Sequence, residues 1–283
     1  MRCPRNVKCD MANLVKNLIF RTMPGWLRPK TVVLRYGARS FKLARPWDSS
    51  VGVGLVLNGV ANYEPETTRL FTQLVQRSQS LVDIGANIGT FTAVAKCVNP
   101  AIKVWAFEPE SKLYSLLTDT ICANAWNDVF AEQMALSDSD GTTDLFVWGE
   151  SEASLNPGFR PGAVKNTCQT KRLDAYCAER AITAIDLIKI DTESTEPQVF
   201  SGSIAMLKKC RPDIICEVLA GRTEKKLEEL LKPLGYRYFH VTGDGLVPTE
   251  RISGDPEYKN LNYLFTVKED SNIEQNQIAF ARS

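Results

Sequence analysis

Residues 81–91 read LVDIGANIGTF, and this stretch decides the fold. Its apolar start predicts a buried parallel strand, which passes through a glycine loop into the start of a helix. Glycine lets backbone N–H groups come close to a ligand, and the carboxyl end of such a strand opens into a crevice. The stretch is therefore typical of an α/β sheet that binds a nucleotide-type cofactor.

The glycine loop differs from the dinucleotide fingerprint GxGxxG, whose second glycine lets a pyrophosphate lie against the backbone. Here Asp83 precedes the loop, and the polar Asn87 stands between Gly85 and Gly89. This spacing suits a ligand with an amino acid moiety and no pyrophosphate. It favours S-adenosylmethionine over NAD, and a glycine turn without any cofactor is the remaining alternative.

A second acidic residue follows the next predicted strand. Residues 103–107 predict that strand, and Glu108 ends it, 25 residues after Asp83. An acid at this tip is placed to accept hydrogen bonds from both hydroxyls of a ribose. Because a NAD site has an acid at a similar distance, Glu108 indicates an adenosine-type ligand without choosing between the two cofactors.

Strands and helices alternate from residue 81 onward, which predicts a mostly parallel sheet with helices on both faces. The predicted strands are 81–84, 103–107, 129–135, 144–148, 187–190, 214–218, 237–241 and 263–267. The predicted helices are 90–98, 113–123, 197–208 and 224–232, with an earlier one that opens at residues 64–66. Residues 149–170 are predicted to form a long loop, and loops of that length are usually functional or disordered.

We expect three parts along the 283-residue chain. Residues 1–62 form a basic extension with a short helix and a hairpin of strands 31–35 and 41–44. Residues 63–268 form the main domain, and residues 269–283 form a polar tail. Three glycines predict a loose segment between the hairpin and Val60.

The charge is distributed unevenly. Residues 1–45 hold eleven lysines and arginines against one acid, Asp10, whereas the other residues hold 23 basic and 32 acidic side chains. Such an arm binds an anionic membrane surface or an anionic substrate, docks on the acidic body, or stays solvated. No apolar run has the length of a spanning helix, and residues 13–20 lack a signal-peptide cleavage site. We therefore expect a cytoplasmic protein, either free or peripheral to a membrane.

Cysteine, histidine and tryptophan give weaker signals. The eight cysteines form no CxxC pair and His240 is the single histidine, which argues against a zinc site and for reduced thiols. His240 lies in an aromatic strand, where a structural role is more common than a catalytic one. Trp148, beside the long loop, is the tryptophan best placed to stack on a sugar, with core packing as the alternative.

The second group of candidate residues surrounds a strand with a lysine in its middle. Burying an unpaired ammonium is costly, so Lys189 must be paired or point into a cleft. The two-residue period of a strand places Lys189, Asp191 and Glu193 on one side, and Glu217 ends the neighbouring strand. These four are the candidate catalytic residues for binding and deprotonating a hydroxyl, although an ion-pair network would look the same. Three carboxylates could also hold Mg²⁺ or Ca²⁺, and an acidic cleft argues against nucleic acid as the substrate.

Five motifs taken together resemble the FkbM family of class I methyltransferases. They are DIGANIGTF at 83–91, AFEPE at 106–110, ALSD at 135–138, DLIKIDTESTE at 186–196 and RPDIICE at 211–217. The resemblance covers residues 63–265 and implies a Rossmann-like, seven-stranded, mostly parallel sheet. It also implies O-methylation of a small-molecule or glycan acceptor, commonly a sugar or a polyketide-type product, with S-adenosylmethionine as the donor.

The resemblance also implies roles for individual residues. The glycine loop with Asp83 would hold the methionine part of the donor, Glu108 the ribose, and Ala135 the adenine. The predicted cofactor-binding residues are Tyr63, Glu64, Asp83, Gly85, Asn87, Ile88, Gly89, Thr90, Glu108 and Ala135. Where the family usually has a glycine and a small residue after its Asp-x-Glu, this chain has Ser194-Thr195, which changes the shape expected on the substrate side.

The main hypothesis is thus an O-methyltransferase. The alternatives are methyl transfer to a nitrogen or a carboxylate, a NAD-dependent oxidoreductase, and a non-catalytic binding protein that retains the fold. The glycine loop disfavours the oxidoreductase, whereas Ser194-Thr195 and the basic arm keep the binding protein open.

Overall fold

The computed structural model describes residues 24–149 and 152–268. The expected helix near the start of the chain, the polar tail, Cys3 and Cys9 lie outside the described residues. The strands are β1 (Thr31–Tyr36), β2 (Arg39–Ala44), β3 (Ser80–Ile84), β4 (Lys103–Phe107), β5 (Val129–Glu132), β6 (Ala135–Leu136), β7 (Gly141–Trp148), β8 (Glu152–Ser154), β9 (Val164–Lys171), β10 (Leu187–Ile190), β11 (Asp213–Glu217), β12 (Arg237–Thr242), β13 (Gly245–Thr249) and β14 (Asn262–Thr266). The α-helices are α1 (Ser50–Asn58), α2 (Pro65–Gln76), α3 (Thr90–Val98), α4 (Ser111–Asn124), α5 (Leu173–Glu179), α6 (Glu196–Ser201), α7 (Ile204–Cys210) and α8 (Glu224–Leu231).

The central sheet has the strand order β13-β12-β14-β11-β10-β3-β4-β5. Strands β5, β4, β3, β10 and β11 are mutually parallel, and β14 runs antiparallel between β11 and β12. This confirms the predicted α/β fold with seven main strands, of which the last is antiparallel, and β13 adds an eighth strand at the edge. The chain leaves β3 in one direction through β4 and later returns beside it at β10. A switch of this kind opens a crevice at the carboxyl ends of the strands.

Helices cover both faces of the sheet, as predicted. Within β10, Leu187 faces the cluster packed by α2, α3 and α4, whereas Ile188 and Ile190 face the cluster packed by α5 to α8. All three side chains are at most 1% exposed. Each such aliphatic side chain contributes about 1.5–3 kcal/mol on burial. The two cores therefore hold the parallel strands rigidly from both sides.

A second, four-stranded sheet has the order β6-β9-β7-β8. It corrects two predictions: the strand predicted at 144–148 belongs to this sheet and not to the central one, and the predicted loop 149–170 contains β8 and most of β9. The strand predicted at 129–135 is also interrupted, because the chain leaves the central sheet after β5. Strand β9 is polar and mostly exposed, so its sequence lacks the apolar pattern of a strand.

The N-terminal extension contains the predicted hairpin, in which β1 pairs with β2. Leu34, Phe41 and Leu43 pack in the same core cluster as the helices of the main domain. The expectation of a loose segment before Val60 was wrong, since residues 50–58 form α1. Ser49 caps that helix by accepting a hydrogen bond from the Gly52 N–H at 2.9 Å. The division of the chain at residue 62 stays a prediction.

The helix predicted at 197–208 is divided into α6 and α7 at Gly202. A Cβ atom at Gly202 would lie 2.0 Å from the carbonyl oxygen of Ser137, so the close approach of that backbone requires glycine. Among the described residues, no helix is long and apolar enough to span a membrane. The six cysteines in the described part of the chain are free thiols.

Candidate active site

One cavity of about 280 Å³ opens at the carboxyl ends of β3, β4, β10 and β11. Every predicted site residue except Ile88 and Gly89 lines this cavity. Ile88 is 1% exposed and belongs to the core. The cavity has an acidic end beside β10 and β11 and a more apolar end beside β6. Two groups of residues that are distant in sequence therefore meet in one space.

The glycine loop is shaped by contacts within the protein. Gly85 has φ +74°, and a Cβ atom there would lie 1.8 Å from the carbonyl oxygen of Asp191. Gly89 has φ +86°, and its Cβ would lie 2.6 Å from Leu117 Cδ1. Both glycines are required by the protein's own packing, whereas the sequence suggested close approach of a ligand. Gly85 in particular joins the loop after β3 to the end of β10.

Asp83 lies at the end of β3 and is buried. Its Oδ2 accepts a hydrogen bond from the Thr92 hydroxyl at 2.7 Å. Burial raises the pKa of Asp83 to about 6, although the Thr92 hydrogen bond and the nearby Lys189 oppose the shift. Thr92 was missed by the sequence prediction, although it lies on the first turn of the helix that the motif opens. Thr90, on the same turn, has a buried hydroxyl without a partner among the described residues.

Glu108 holds the glycine loop from the end of β4. Its Oε2 accepts a hydrogen bond from the Asn87 N–H at 2.8 Å, and its Oε1 accepts one from the Glu110 N–H at 2.9 Å. Burial raises the pKa of Glu108 to about 7. A carboxylate oxygen has more than one lone pair. Each oxygen of Glu108 can therefore accept a further hydrogen bond, from a hydroxyl group in the cavity.

The end of the cavity beside β6 is lined by aliphatic and thioether side chains. They are Leu113, Met134, Ala135, Leu136 and Leu145. An apolar wall of this kind suits a flat heterocycle. Ala135 lies at this apolar end, and its role beside an adenine stays a prediction.

Lys189 lies at the acidic end and is 1% exposed. Its Nζ is 3.3 Å from Asp191 Oδ2 and 5.1 Å from the centre of the Phe91 ring. Burial lowers the pKa of Lys189, but the carboxylates around it, first Asp191 and then Glu64, outweigh burial and raise the pKa above its ordinary value. Lysine acts as a base only when its pKa is depressed, so Lys189 is an ammonium that orients its neighbours.

Three carboxylates converge on the same end. Oxygens of Asp191, Glu193 and Glu217 lie within 4.8 Å of one another. Burial raises the pKa of Glu217 well above its ordinary value, and repulsion from Asp191 and Glu193 adds to the shift. The Glu217 Oε2 atom is buried and has no hydrogen-bond partner among the described residues. The cluster can accept protons and can attract positive charge.

Tyr63 and Glu64 close the cavity from the N-terminal side of α2. The Tyr63 ring packs edge-on against Phe91 with centroids 5.9 Å apart. Glu64 has φ +41° and accepts a hydrogen bond from Asn262 Nδ2 at 3.1 Å. Burial raises the pKa of Glu64. Glu64 thereby ties the start of α2 to β14, and Tyr63 ties it to α3.

The loop after Asp191 has an unusual backbone. Glu193 and Ser194 have φ +55° and +78°, a region that favours glycine. The departure from the family pattern at Ser194 is therefore a serine in a left-handed conformation. Glu196 Oε1 holds this loop by accepting hydrogen bonds from the Thr192 and Ser194 N–H groups at 3.3 and 3.1 Å. Burial raises the pKa of Glu196 to about 7.

Sequence reasoning missed the wall opposite this loop. Residues 153–155, at the end of β8, line the cavity across from Asp191 and Glu193. The Ser154 hydroxyl donates to the Glu193 carbonyl oxygen at 2.7 Å. Only the length of the predicted loop 149–170 signalled a functional segment, because a serine between an alanine and a leucine matches no motif.

Trp148 and His240 do not line the cavity. Trp148 is buried against Phe159, and its Nε1 donates to the Arg160 carbonyl at 3.0 Å. His240 stacks on Tyr263 with centroids 4.7 Å apart. Both residues have packing roles in this structure.

The basic residues of the extension that the structure describes include two sets. Arg45 docks on the body, with Asp119 at 2.7 Å, and Arg39 donates to the Cys97 carbonyl at 2.9 Å. Lys30, Arg35 and Lys42 are exposed, and none forms an ion pair with another described residue. Docking on the acidic body therefore accounts for only part of the positive charge.

Comparisons with known proteins identify relatives of this chain. Residues 83–238 match the family described as Methyltransferase FkbM domain. Methyltransferase sdnD of Sordaria araneosa is 33% identical over 43% of this chain and 59% of that protein. The 31-O-demethyl-FK506 methyltransferase FkbM of Streptomyces tacrolimicus is 31% identical over 42% of this chain and 57% of that protein. The chain thus spans less than two thirds of the length of either relative.

Among solved structures, a methyltransferase FkbM from Methylobacillus flagellatus matches at a TM-score of 0.45 with 15% identity. The match covers 67% of this chain and 43% of that chain.

Proposed function

The chain belongs to the FkbM family of methyltransferases, and we propose that it transfers a methyl group from S-adenosylmethionine to a hydroxyl of a sugar, glycan or other small natural product. One observation carries this proposal. The predicted donor-binding loop and the predicted acceptor-side carboxylates line one cavity, and the Gly85 backbone touches the Asp191 carbonyl. Donor and acceptor would therefore meet at a fixed separation, as direct group transfer requires.

The residues at the β3 and β4 side of the cavity fit the parts of the donor. Glu108 has acceptor capacity for ribose hydroxyls, the apolar end fits an adenine, and Thr90 lines the region assigned to the methionine part. S-adenosylmethionine supplies a sulfonium-bound methyl group that is already activated. The carboxylates around Lys189 outnumber its single positive charge. The excess negative charge favours a cationic ligand beside them.

The residues at the β10 and β11 side of the cavity fit the orientation and deprotonation of an acceptor hydroxyl. Asp191 is half-buried, and its carboxylate is held by the Lys189 ammonium at 3.3 Å. We assign Asp191 as the group that accepts the hydroxyl proton as the new C–O bond forms, with Glu193 orienting the hydroxyl. Lys189 fixes the direction of the Asp191 carboxylate. Glu217, with its raised pKa, takes part as a neutral acid or as a proton store.

Oxygen as the acceptor atom is supported by two considerations. A hydroxyl must lose a proton during methylation, and several carboxylates stand beside the proposed transfer point. The name of the Streptomyces tacrolimicus relative also specifies a 31-O-demethyl compound as its acceptor. Methyl transfer to an analogue that lacks the hydroxyl would instead indicate a nitrogen or carboxylate acceptor.

A thermal-shift scan tests the donor. At 100 times its Kd, S-adenosylhomocysteine should add about 2.7 kcal/mol to the free energy of unfolding, or roughly 5–10 °C in Tm. NADH and ADP, run in parallel, should give smaller shifts. A larger shift with NADH would contradict the methyltransferase and favour the oxidoreductase. A shift with S-adenosylhomocysteine without turnover on any glycan or lipid-linked pool would support a binding protein.

Replacing Asp191 with asparagine tests the proposed base. Asp191→Asn should lower kcat by about 10²–10⁴-fold, because a positioned general base contributes that much. The Kd for S-adenosylhomocysteine should stay within about threefold. Full activity in this variant would remove Asp191 from the mechanism.

The Lys96–Asp128 pair provides a matched control. It also joins a buried lysine to a half-exposed aspartate, at 2.6 Å, but lies outside the cavity. Asp128→Asn should leave kcat unchanged. A similar loss of turnover in both variants would mean that the effect is a general one of breaking a lysine–aspartate pair.

A further inference from the structure

Ser154 makes a contact that joins the second sheet to the acceptor side of the cavity. The residue is 2% exposed, and its hydroxyl donates to the Glu193 carbonyl oxygen at 2.7 Å. The Ser154 Oγ atom itself accepts a hydrogen bond from the Asn156 N–H at 3.0 Å. Because the N–H of Asn156 occupies an acceptor position of the hydroxyl, the hydroxyl proton is directed to the Glu193 carbonyl.

The loop that receives this hydrogen bond is strained. Glu193 and Ser194 are consecutive non-glycine residues with positive φ, a conformation in which Cβ crowds the backbone. Such residues persist only where their surroundings hold them, and they are concentrated at functional sites. Glu196 holds the loop from the helix that follows it, whereas Ser154 holds it from a separate sheet.

The strained pair also separates two chemical groups. Asp191 precedes it and contributes the carboxylate next to Lys189, and the Glu193 side chain lies on the strained residue itself. If the loop relaxed toward ordinary φ values, the Glu193 carboxylate would move relative to that of Asp191. The distance between these groups thus depends on the hydrogen bond from Ser154.

We infer that Ser154 is a positioning residue, which sets the acceptor-side carboxylates by holding Glu193 and Ser194 in their left-handed conformation. The inference rests on the proposed function of the cavity. It assigns the second sheet a task in the reaction, although none of its strands carries a proposed catalytic group. It also explains how a serine is kept where the family usually has glycine.

Two substitutions test the inference as a pair. Ser154→Ala removes the hydrogen bond, and we expect kcat to fall about tenfold or more while the KM for the donor changes less than threefold. Ser194→Gly removes the part of the strain that lies at residue 194, since glycine adopts positive φ without a penalty. The double variant should therefore recover most of the lost kcat, which a merely structural role of Ser154 would not produce.

Hydrogen exchange provides a readout that needs no acceptor. The amides of Thr192 and Ser194 donate to Glu196 in the strained loop. Their exchange in the full chain with S-adenosylhomocysteine should become about tenfold faster in Ser154→Ala and return toward the original rate in the double variant. Ser78→Ala is the control, because Ser78 is 5% exposed and donates to the Leu74 carbonyl at 2.8 Å, outside the cavity.

Unchanged exchange and unchanged kcat in Ser154→Ala would overturn the inference. So would a loss in Ser154→Ala that Ser194→Gly leaves unrelieved. A failure of the proposed function has a different signature, in which the unmodified chain transfers no methyl group while loop exchange still responds to both substitutions.

Discussion

Gly85 brings the two halves of the site into contact because it has no side chain. Its positive φ and its contact with the Asp191 carbonyl both exclude a Cβ atom. At Gly89 the neighbour is the Leu117 side chain, which can move, so Gly85 is the more restrictive position. The sequence identified both glycines, but their neighbours are distant in the chain and could not be read from the motif.

We expect Gly85→Ala to lower the free energy of unfolding by at least about 2 kcal/mol, since a left-handed alanine alone costs about 1–2 kcal/mol. Tm should fall by about 5 °C or more. Gly54→Ala is the control, because Gly54 lies within α1 with no heavy atom within 4 Å of its added Cβ. That substitution should raise stability by about 0.5–1 kcal/mol. Equal Tm values for the two variants would contradict the assigned contact.

If Glu108 binds the donor as proposed, we expect donor binding to depend on pH. Its pKa of about 7 lies above the ordinary value of 4.5, so in the ligand-free protein its contribution to stability is complete below about pH 4.5 and is lost as the pH rises through 7. In the proposed site, ribose hydroxyls would donate to the ionised carboxylate, so binding of the donor would lower the pKa of Glu108 and release a proton. Affinity should therefore increase as the pH rises.

Calorimetric titration with S-adenosylhomocysteine measures this effect. We expect the Kd to be about tenfold higher at pH 6 than at pH 8, which corresponds to one proton with a pKa near 7. Glu108→Gln should bind more weakly and lose most of the pH dependence. A Kd that is constant over this range would separate Glu108 from the ribose.

At the scale of elements, prediction succeeded where burial produces a clear pattern. The bounds of β4, β10 and α3 were predicted correctly, because these elements are apolar and end at motif residues. Prediction failed for α1, because its glycines are atypical of a helix. It also failed for β9, because its exposed side chains follow no apolar alternation. Both elements exist because tertiary contacts override local propensity. Ser49 was the available signal for α1, since serine is a preferred N-cap.

Ser49→Ala should weaken α1. Ser49 is 1% exposed, and loss of an N-cap side chain costs about 1 kcal/mol, with a range of about 0.5–2 kcal/mol. Urea unfolding should show the loss, and the affinity for S-adenosylhomocysteine should fall slightly because Ser50 and Val51 line the cavity. Ser40→Ala, at an exposed position on β2, should stay within about 0.5 kcal/mol of the original protein. A smaller loss for Ser49 than for Ser40 would refute the capping role.

At the scale of the whole molecule, the exposed basic residues and the cavity belong to different parts of the chain. The acidic body holds the cavity, whereas the hairpin exposes Arg35 and Lys42, and the residue before it, Lys30, is also exposed. Composition alone predicts this charge asymmetry, but which cations are paired follows only from the fold. These three cations form no ion pair with another residue that the structure describes, and we propose an external anionic partner for this surface.

Charge reversal tests that partner. We expect the full chain to sediment with phosphatidylglycerol vesicles and not with phosphatidylcholine vesicles, with binding that weakens as salt is added. Changing Lys30, Arg35 and Lys42 together to glutamate should reduce partitioning by about 100-fold, because each basic residue contributes about 1 kcal/mol near an anionic surface.

Three lysines of the body provide the control for this experiment. Lys208, Lys209 and Lys226 are also exposed, and their change to glutamate alters the net charge by the same amount. This variant should keep most of the vesicle binding. Equal losses in both variants would show that only net charge matters and that the hairpin has no special role.

The contact between Gly85 and the Asp191 carbonyl has a consequence for recombining this protein with its relatives. A chimera that takes β3 and its loop from one parent and β10 from another brings together two backbones that evolved against different partners. The chimera would fold correctly only if the incoming strand ends at the same position in the sheet as the strand that it replaces. Breakpoints outside residues 80–193 take β3, its loop and the end of β10 from the same parent. Breakpoints within this range take the two sides of the contact from different parents.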